Sequence, residues 1–157
     1  MILAIPNFDI KNININNLDK LTNKGVRKGF YFAGKSLVRE SVKLINKKPK
    51  SGRTYIVNQG IGGKILKNKR FHVASAPGEA PAVITGKLRK SITFMVENHN
   101  MLRFGATAEY AGVLEKGGIA GKYRIKPRPF LMPSIFNENK NNTLYLRNNI
   151  LKSIKTH

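Results

Sequence analysis

The side chains that most often carry catalysis or bind metal ions are few and widely spaced in this sequence. The three histidines, His72, His99 and His157, show no spacing that is typical of metal ligands. The eight acidic residues are scattered, and no two stand at a helical or strand spacing that would indicate an acid–base pair. Cysteine is absent, which excludes thiolate chemistry and disulfide bonds. We therefore predict no catalytic, metal-binding or cofactor-binding site.

One glycine-rich run, Gly60-Ile61-Gly62-Gly63-Lys64, has a partial similarity to a phosphate-binding loop. It lacks the rest of the motif Gly-x-x-x-x-Gly-Lys-Ser/Thr, in which backbone amides surround the phosphate. We interpret the run as a turn between two extended segments, Arg53 to Asn58 and Lys64 to Val73. These segments predict a hairpin or a long excursion that projects from the body of the fold. The alternative is a hairpin that packs on the long N-terminal helix, with Tyr55, Val57 and Phe71 in the core.

The charge of the chain is its most unusual property. With 29 Lys and Arg against 8 Asp and Glu, the formal net charge is +21. Such an excess predicts an acidic partner or nucleic acid; the alternative is a basic surface that serves only solvation. Within the predicted hairpin, five cations are candidates for contact with DNA or an acidic partner: Arg53, Lys64, Lys67, Lys69 and Arg70.

The elements that must position these residues begin with one long helix. From a cap at Asn16 or Asn17 to the stop at Pro49, roughly thirty residues make a helix on the order of 45 Å long. Glycines weaken it, so burial must hold it, and Gly34 permits close packing. Residues at three- and four-residue steps predict its buried face: Val26, Phe30, Ala33, Leu37, Ser41 and Leu44.

A hairpin supplies the predicted sheet. The segments Ile92–Val96 and Met101–Gly105 alternate in polarity, which gives the hairpin one apolar side. We predict that the core joins the helix residues Phe30, Leu37 and Leu44 to the hairpin residues Phe94, Val96, Leu102 and Phe104.

The remaining segments complete an α+β fold in one domain of residues 1–157. Residues 1–16 are expected to form an N-terminal arm, with Ile13 and Ile15 in an edge strand or on a neighbour. Ala108–Lys116 predicts a short helix with Ala111 and Leu114 turned inward and Tyr110 as a further candidate for that face. Tyr123–Ile125 predicts a third strand. Pro133 begins a C-terminal helix, which the polar run Asn137–Asn142 could interrupt. No apolar stretch is long enough for a signal peptide or a membrane span, so we expect a soluble protein.

Two further stretches are rich in proline and glycine: Ser75–Ser91 (SAPGEAPAVITGKLRKS) and Pro127–Pro133 (PRPFLMP). Pro77 and Pro81 flank Gly78-Glu79-Ala80, which predicts an extended loop because proline excludes a helix there. Thr85 is the expected cap of a short helix from Gly86 to Ile92. On pattern alone, an ordinary proline-rich loop before a short helix explains the first stretch equally well.

These stretches, with YAGVLEKGG (Tyr110–Gly118) and RPFLMPSI (Arg128–Ile135), resemble the putative tail-component family of long-tailed phages that is named for a Hong Kong lambdoid phage. The blocks follow the family's order across roughly residues 51 to 136. Family members are understood as head–tail joining, neck or tail-completion proteins. The sequence departs from the family pattern at Lys116-Gly117-Gly118 and around Pro127 and Met132.

The resemblance implies a structural virion protein that forms a ring joining the portal or connector to the tail. Its partners would be copies of itself, portal-bound connector or adaptor proteins, tail tube or tail terminator proteins, and the phage DNA that passes through. It would be assembled in the host cytoplasm and located in the neck or tail of the virion. The implied interface residues are Pro77, Gly78, Glu79, Pro81, Arg89, Tyr110, Glu115, Arg128 and Phe130.

Two of these residues have alternative interpretations. Glu115 either bridges to Arg89 or Arg128, in the same or a neighbouring subunit, or is an exposed carboxylate at a helix end. Phe130 either docks into a neighbour's pocket or anchors the last helix in the core. For the whole chain, the alternative function is a basic nucleic-acid-binding module without catalytic activity, and an enzyme whose residues meet only in the folded chain is a distant third.

Overall fold

The computed structural model describes residues 2–4, 19–59, 65–97 and 101–155, with side chains for residues 23–56, 71–97 and 101–153. Their elements follow in chain order: β1 (Ile2–Ala4), α1 (Asp19–Asn46), β2 (Thr54–Gln59), β3 (Ile65–Val73), α2 (Lys87–Ser91), β4 (Ile92–Glu97), β5 (Met101–Ala106), α3 (Ala111–Lys116), β6 (Gly118–Ala120), β7 (Tyr123–Ile125) and α4 (Leu131–Lys155). The predicted α+β class is confirmed, because the helices pack on small antiparallel sheets.

Helix α1 has the predicted buried face. Its 28 residues span about 42 Å, and Phe30, Ala33, Leu37 and Ser41 are all buried. Near the C-terminal end Ile45 is buried while Leu44 is only half-buried, so the buried face there includes a residue that the pattern did not predict. The proposed caps at Asn16 and Asn17 lie outside the described residues.

Helix α4 lies against α1 along most of its length, and the two run antiparallel. The polar run Asn137–Asn142 does not interrupt it, because polar side chains at this level bond to α1. Asn137 donates from Nδ2 to Glu40 Oε1 at 3.0 Å, and Ser36 Oγ donates to Glu138 Oε2 at 2.7 Å. Asn137 and Glu138 therefore form part of the helix interface, where both are hydrogen-bonded, whereas Oδ1 of Asn142 is buried without a partner among the described residues.

Glycine permits the close approach of the two long helices. A Cβ atom built at Gly29 would stand 2.9 Å from Leu146 Cα, which is closer than real Cβ contacts allow. Gly25 faces α4 in the same way, and Gly34 faces the ring of Phe94. The prediction of close packing at Gly34 is thus confirmed, and its partner is the sheet.

The main sheet has three strands in the order β1-β5-β4. Its inner face packs on α1 through Leu102 and Phe104, both buried, while Phe94 and Val96 are partly buried beside them. The predicted core is therefore present except for Leu44, which does not belong to the buried cluster or to the residues packed against it. The third strand is Ile2–Ala4, paired with β5 from Ile2 opposite Gly105. This corrects the interpretation of residues 1–16 as an arm, at least for residues 2–4; Ile13 and Ile15 lie outside the described residues.

Two smaller hairpins stand apart from this sheet: β2–β3 and β6–β7. Tyr123–Ile125 is a strand, as predicted, but it pairs with Gly118–Ala120, the strand that precedes it across a short turn. Helix α2 begins after its N-cap residue Gly86, which has a left-handed φ of 77° and provides no side-chain cap. Thr85 was the expected cap; its hydroxyl accepts from the Lys87 amide at 3.4 Å, one residue away from that position.

Candidate interaction surface

The two proline-rich stretches lie side by side in the folded chain. The Gly78 amide donates to Pro127 O at 2.8 Å, and Arg128 Nε donates to Ser75 O at 3.2 Å. Gly78 has a φ of 84°, which favours glycine at this position. Pro77 and Gly78 are exposed at the turn that these contacts hold. Segments about fifty residues apart in sequence thus form one surface.

Glu79 closes the base of the β2–β3 hairpin. Its carboxylate accepts from Ser51 Oγ at 2.6 Å, from the Ser51 amide at 3.1 Å and from the Ala76 amide at 3.0 Å. The hydrogen bond from the Ser51 hydroxyl, followed by those from the two amides, lowers the pKa of Glu79 from 4.5 to about 2. The predicted interface carboxylate therefore binds its own chain.

Lys50 connects the base of the β2–β3 hairpin and the loop at Ala80 to the end of α1. Its ammonium group donates to Ala80 O at 2.8 Å and to Leu44 O near the end of the helix at 3.3 Å. Burial lowers the pKa of Lys50, and the charge of Glu79 partly offsets that effect. We call the contacts of Lys50, Ser51 and Glu79 the base junction. Neither Lys50 nor Ser51 belongs to a recognisable motif, so sequence reasoning missed both.

Glu115 has a role that neither sequence interpretation anticipated. The side chain is 5% exposed, and its carboxylate accepts hydrogen bonds from three backbone amides at the start of α4. The donors are Phe130 at 2.8 Å, Leu131 at 3.0 Å and Met132 at 2.8 Å. A carboxylate at a helix N-terminus satisfies free amides and opposes the positive end of the helix dipole. Glu115 thus caps α4 from another helix.

Two predicted interface residues are corrected by these contacts. Glu115 bonds to backbone amides rather than to Arg89 or Arg128, and it is buried rather than exposed. Phe130 is fully buried in the core, beside the cap. It anchors α4 within its own chain, because the packed core leaves no part of its ring for a neighbour's pocket. Both residues are therefore removed from the candidate interface.

Four other predicted interface residues meet around one groove of about 390 Å³: Pro81, Arg89, Tyr110 and Arg128. Apolar side chains, including Ile45, Val83 and Leu114, form much of the lining. Pro81 is buried in the wall, whereas Tyr110, the further candidate for the inward face of the short helix, is exposed. Arg89 donates to Asn46 Oδ1 at 3.3 Å and separates this groove from a second one below the hairpin. An apolar groove with cations at its rim suits a protein segment.

The β2–β3 hairpin carries apolar side chains that the chain does not bury. Ile56 stands opposite Phe71, and Thr54 opposite Val73, so one face of the hairpin presents Ile56, Phe71 and Val73. Phe71 is 73% exposed, and Tyr55 on the other face is also exposed. The alternative in which Tyr55 and Phe71 pack on α1 is therefore wrong for these two residues; the side chain of Val57 is outside the described set.

The predicted DNA-contacting residues are only partly described. Arg53 is exposed at the foot of β2. Lys67, Lys69 and Arg70 lie in β3, and the register places Arg70 opposite Val57, but their side chains are outside the described set. Lys64 lies outside the described residues altogether. The structure neither groups these five cations nor separates them.

The distribution of charge differs from what the totals suggest. Of the acids with described side chains, three are buried: Glu40, Glu115 and Glu138. Glu79 is bound at the base junction, and Glu97 pairs with Arg103 at 2.7 Å. By contrast, none of the lysines and arginines with described side chains is buried. The surface of the described chain is consequently more positive than its composition implies.

The described residues contain no candidate metal site and no helix that could span a membrane. Within them, no three His, Asp or Glu side chains stand together as metal ligands would. None of the described helices combines the length and the apolar character that a bilayer crossing needs. Comparisons of the chain with protein-family models, curated proteins and solved structures found no match.

Proposed function

We propose that this protein is a structural subunit of a phage neck, where it forms a ring that joins the portal-bound connector to the tail. The observation that carries the proposal is the β2–β3 hairpin with its exposed apolar face. A two-stranded sheet is at best marginally stable by itself in water, and exposed apolar patches of this kind mark protein–protein contacts. The face formed by Ile56, Phe71 and Val73 is therefore expected to be covered in an assembly.

The base of the hairpin supports this assignment. The base junction fixes where the hairpin leaves the body, so little orientational freedom is lost when the apolar face of the hairpin docks. The apolar groove at Tyr110 and Leu114 is a different surface of the same chain. A hairpin that docks on a different surface of the next copy makes a heterologous contact, and such contacts generate rings when the rotation closes.

The resemblance described above supports the position of that ring. The blocks that carry it meet around the groove and the turn at Gly78, rather than being distributed over the molecule. The partners would then be neighbouring copies, the connector or adaptor below and the tail tube or terminator above. Location in the virion follows from the same proposal.

Deletion of the protein from its phage tests the proposal. We expect DNA-filled heads and finished tails that fail to join, with joining restored by the wild-type chain supplied in trans. Phe71→Ser supplied in trans should restore joining poorly, whereas Phe136→Ser, which changes an equally exposed phenylalanine on α4, should restore it fully. Infectious particles at normal yield from the deletion would contradict the proposal.

A further inference from the structure

Helix α1 carries a row of cations on its solvent-facing side. Lys24, Lys28, Lys35, Arg39 and Lys43 are all exposed, and their spacings of four, seven, four and four residues place them on one face of the helix. At 1.5 Å per residue the row is about 28 Å long. We refer to these five residues as the α1 cation row.

The acids that would neutralise the row are turned inward. Glu40 is buried and accepts from Asn137 at 3.0 Å, with Lys43 at 3.3 Å. Glu138, on α4, is buried and accepts from Ser36 and from Asn141 at 2.9 Å. Among the side chains described on the two long helices, no carboxylate is exposed. Glu40 pairs with Lys43 alone of the row, and Glu138 is satisfied by neutral polar groups. No described ion pair therefore joins a carboxylate to Lys24, Lys28, Lys35 or Arg39, and these four cations carry the positive potential of the row.

Aromatic side chains occupy the seven-residue gap in the row. Tyr31 and Phe32 are both partly exposed there. Lys35 Nζ lies 5.1 Å from the centroid of the Tyr31 ring, a cation–π distance that holds the ammonium group over the ring. Tyr31 in turn packs edge-on against Phe94, with centroids 5.6 Å apart. The middle of the row is therefore supported by a rigid surface rather than by a mobile loop.

We propose that the α1 cation row binds the phosphate backbone of duplex DNA without reading its sequence. Each strand carries one phosphate per 3.4 Å of duplex axis, so a row of about 28 Å lies along a duplex segment with about eight phosphates per strand, of which it meets those on the near side. An acidic protein fits less well, because the cores of protein interfaces are depleted in charge and centred on apolar anchors. This places the DNA contact on α1 and not on the hairpin cations that the sequence suggested.

The proposal does not rest on the function proposed above, and purified protein suffices to test it. The probe is a fluorescently labelled 20-base-pair duplex of arbitrary sequence, whose binding is followed by anisotropy between about 50 and 200 mM salt. The test variant replaces Lys24, Lys28, Lys35 and Arg39 by glutamine. The matched control makes the same change at Lys116, Lys122, Arg124 and Lys126, which are exposed around the β6–β7 hairpin. A third variant replaces four of the hairpin cations by glutamine: Arg53, Lys67, Lys69 and Arg70.

The slope of log K against log salt is negative, and each phosphate contact that is removed should reduce its magnitude by about 0.9. We expect the magnitude of the slope to fall by about 3.6 in the test variant, with at least about tenfold loss of affinity, and by less than about 1 in each of the other two variants. Equal losses in the test and control variants would overturn the proposal, as would a dominant loss in the third variant. Absence of duplex binding by the wild-type chain at about 50 mM salt would also overturn it and assign the row to an acidic protein.

Melting temperatures of all variants are measured beforehand, because the comparison requires folded protein. If the fourfold test variant does not fold, Lys28→Gln with Lys35→Gln carries the same test with about half the change in slope. A loss of binding would not affect the head–tail experiment. Failure of this inference is thus distinguishable from failure of the proposed function.

Discussion

The body of the fold buries its apolar side chains and pairs its buried carboxylates internally, whereas the β2–β3 hairpin leaves apolar side chains exposed. In the body, Phe104 and Leu37 are fully buried, and even the carboxylates of Glu40 and Glu138 find donors inside. On the hairpin, Phe71 and its neighbours face solvent, and the described hydrogen bonds to the body lie at its base. The body thus buries its apolar side chains within the chain, whereas the hairpin leaves an apolar face exposed.

The largest expected effect contrasts one phenylalanine from each region. Phe104→Ala should lower the free energy of unfolding by about 3–5 kcal/mol, because it leaves a cavity in a packed core. The matched change Phe71→Ala should alter it by less than about 0.5 kcal/mol in the isolated subunit, since an exposed ring has little burial to lose. Urea denaturation of both variants measures the difference. Similar losses would mean that the hairpin packs on the body in solution.

A smaller effect concerns the cap on α4. Glu115→Gln should lower the free energy of unfolding by about 2–3 kcal/mol, because an amide offers one acceptor and a donor where three backbone amides need acceptors. Glu109→Gln is the control, since Glu109 is exposed only six residues earlier. Thermal unfolding distinguishes the two variants. An unchanged melting temperature for Glu115→Gln would refute the capping role.

The smallest and most local effect is the titration of Glu79 at the base junction. Because the folded pKa, about 2, is below the ordinary 4.5, the carboxylate stabilises the junction fully above pH 4.5. That contribution is lost as the pH falls from 4.5 through about 2. The amide signals of Ser51 and Ala76, followed by NMR, should shift with a midpoint near the lower value, and Glu79→Gln should abolish the shift. A midpoint near 4.5 would show that the three hydrogen bonds do not form in solution.

Periodic apolar patterns explain how far the sequence predicted the body. The face of α1 and the β4–β5 hairpin were predictable because burial imposes a period of 3.6 or 2 on residues close together in the chain. The third strand was not, since Ile2–Ala4 is too short to show alternation. The continuity of α4 was missed for a different reason: Asn137 and Glu138 are polar residues that face α1, and polarity alone resembles exposure.

The candidate site was harder to predict than the fold. Sequence reasoning identified the stretches that meet around Gly78 and Arg128. It included Glu115 and Phe130 among the interface residues, and only its alternative for Phe130, an anchor of the last helix in the core, is confirmed. The groups that Glu115 binds are backbone amides, which leave no signature in residue type. Similarly, nothing in the sequence relates Ser51 to Glu79, because their contact depends on how the intervening hairpin returns to its base. Such contacts become visible only in the folded chain.

The polar contacts between α1 and α4 have a mechanical consequence. Ser36 reaches Glu138 and Glu40 reaches Asn137 in only one alignment of the helices, and sliding by one turn, about 5.4 Å, would leave two buried carboxylates without those partners. The close approach at Gly29 also resists sliding in the direction that would bring Ala33 to that position, because a Cβ atom there would collide with α4. The helix pair, which we call the strut, therefore resists sliding of one helix along the other. A force applied at the base junction, beside the end of α1, is carried along the strut to its far end and is not dissipated by shear between the helices.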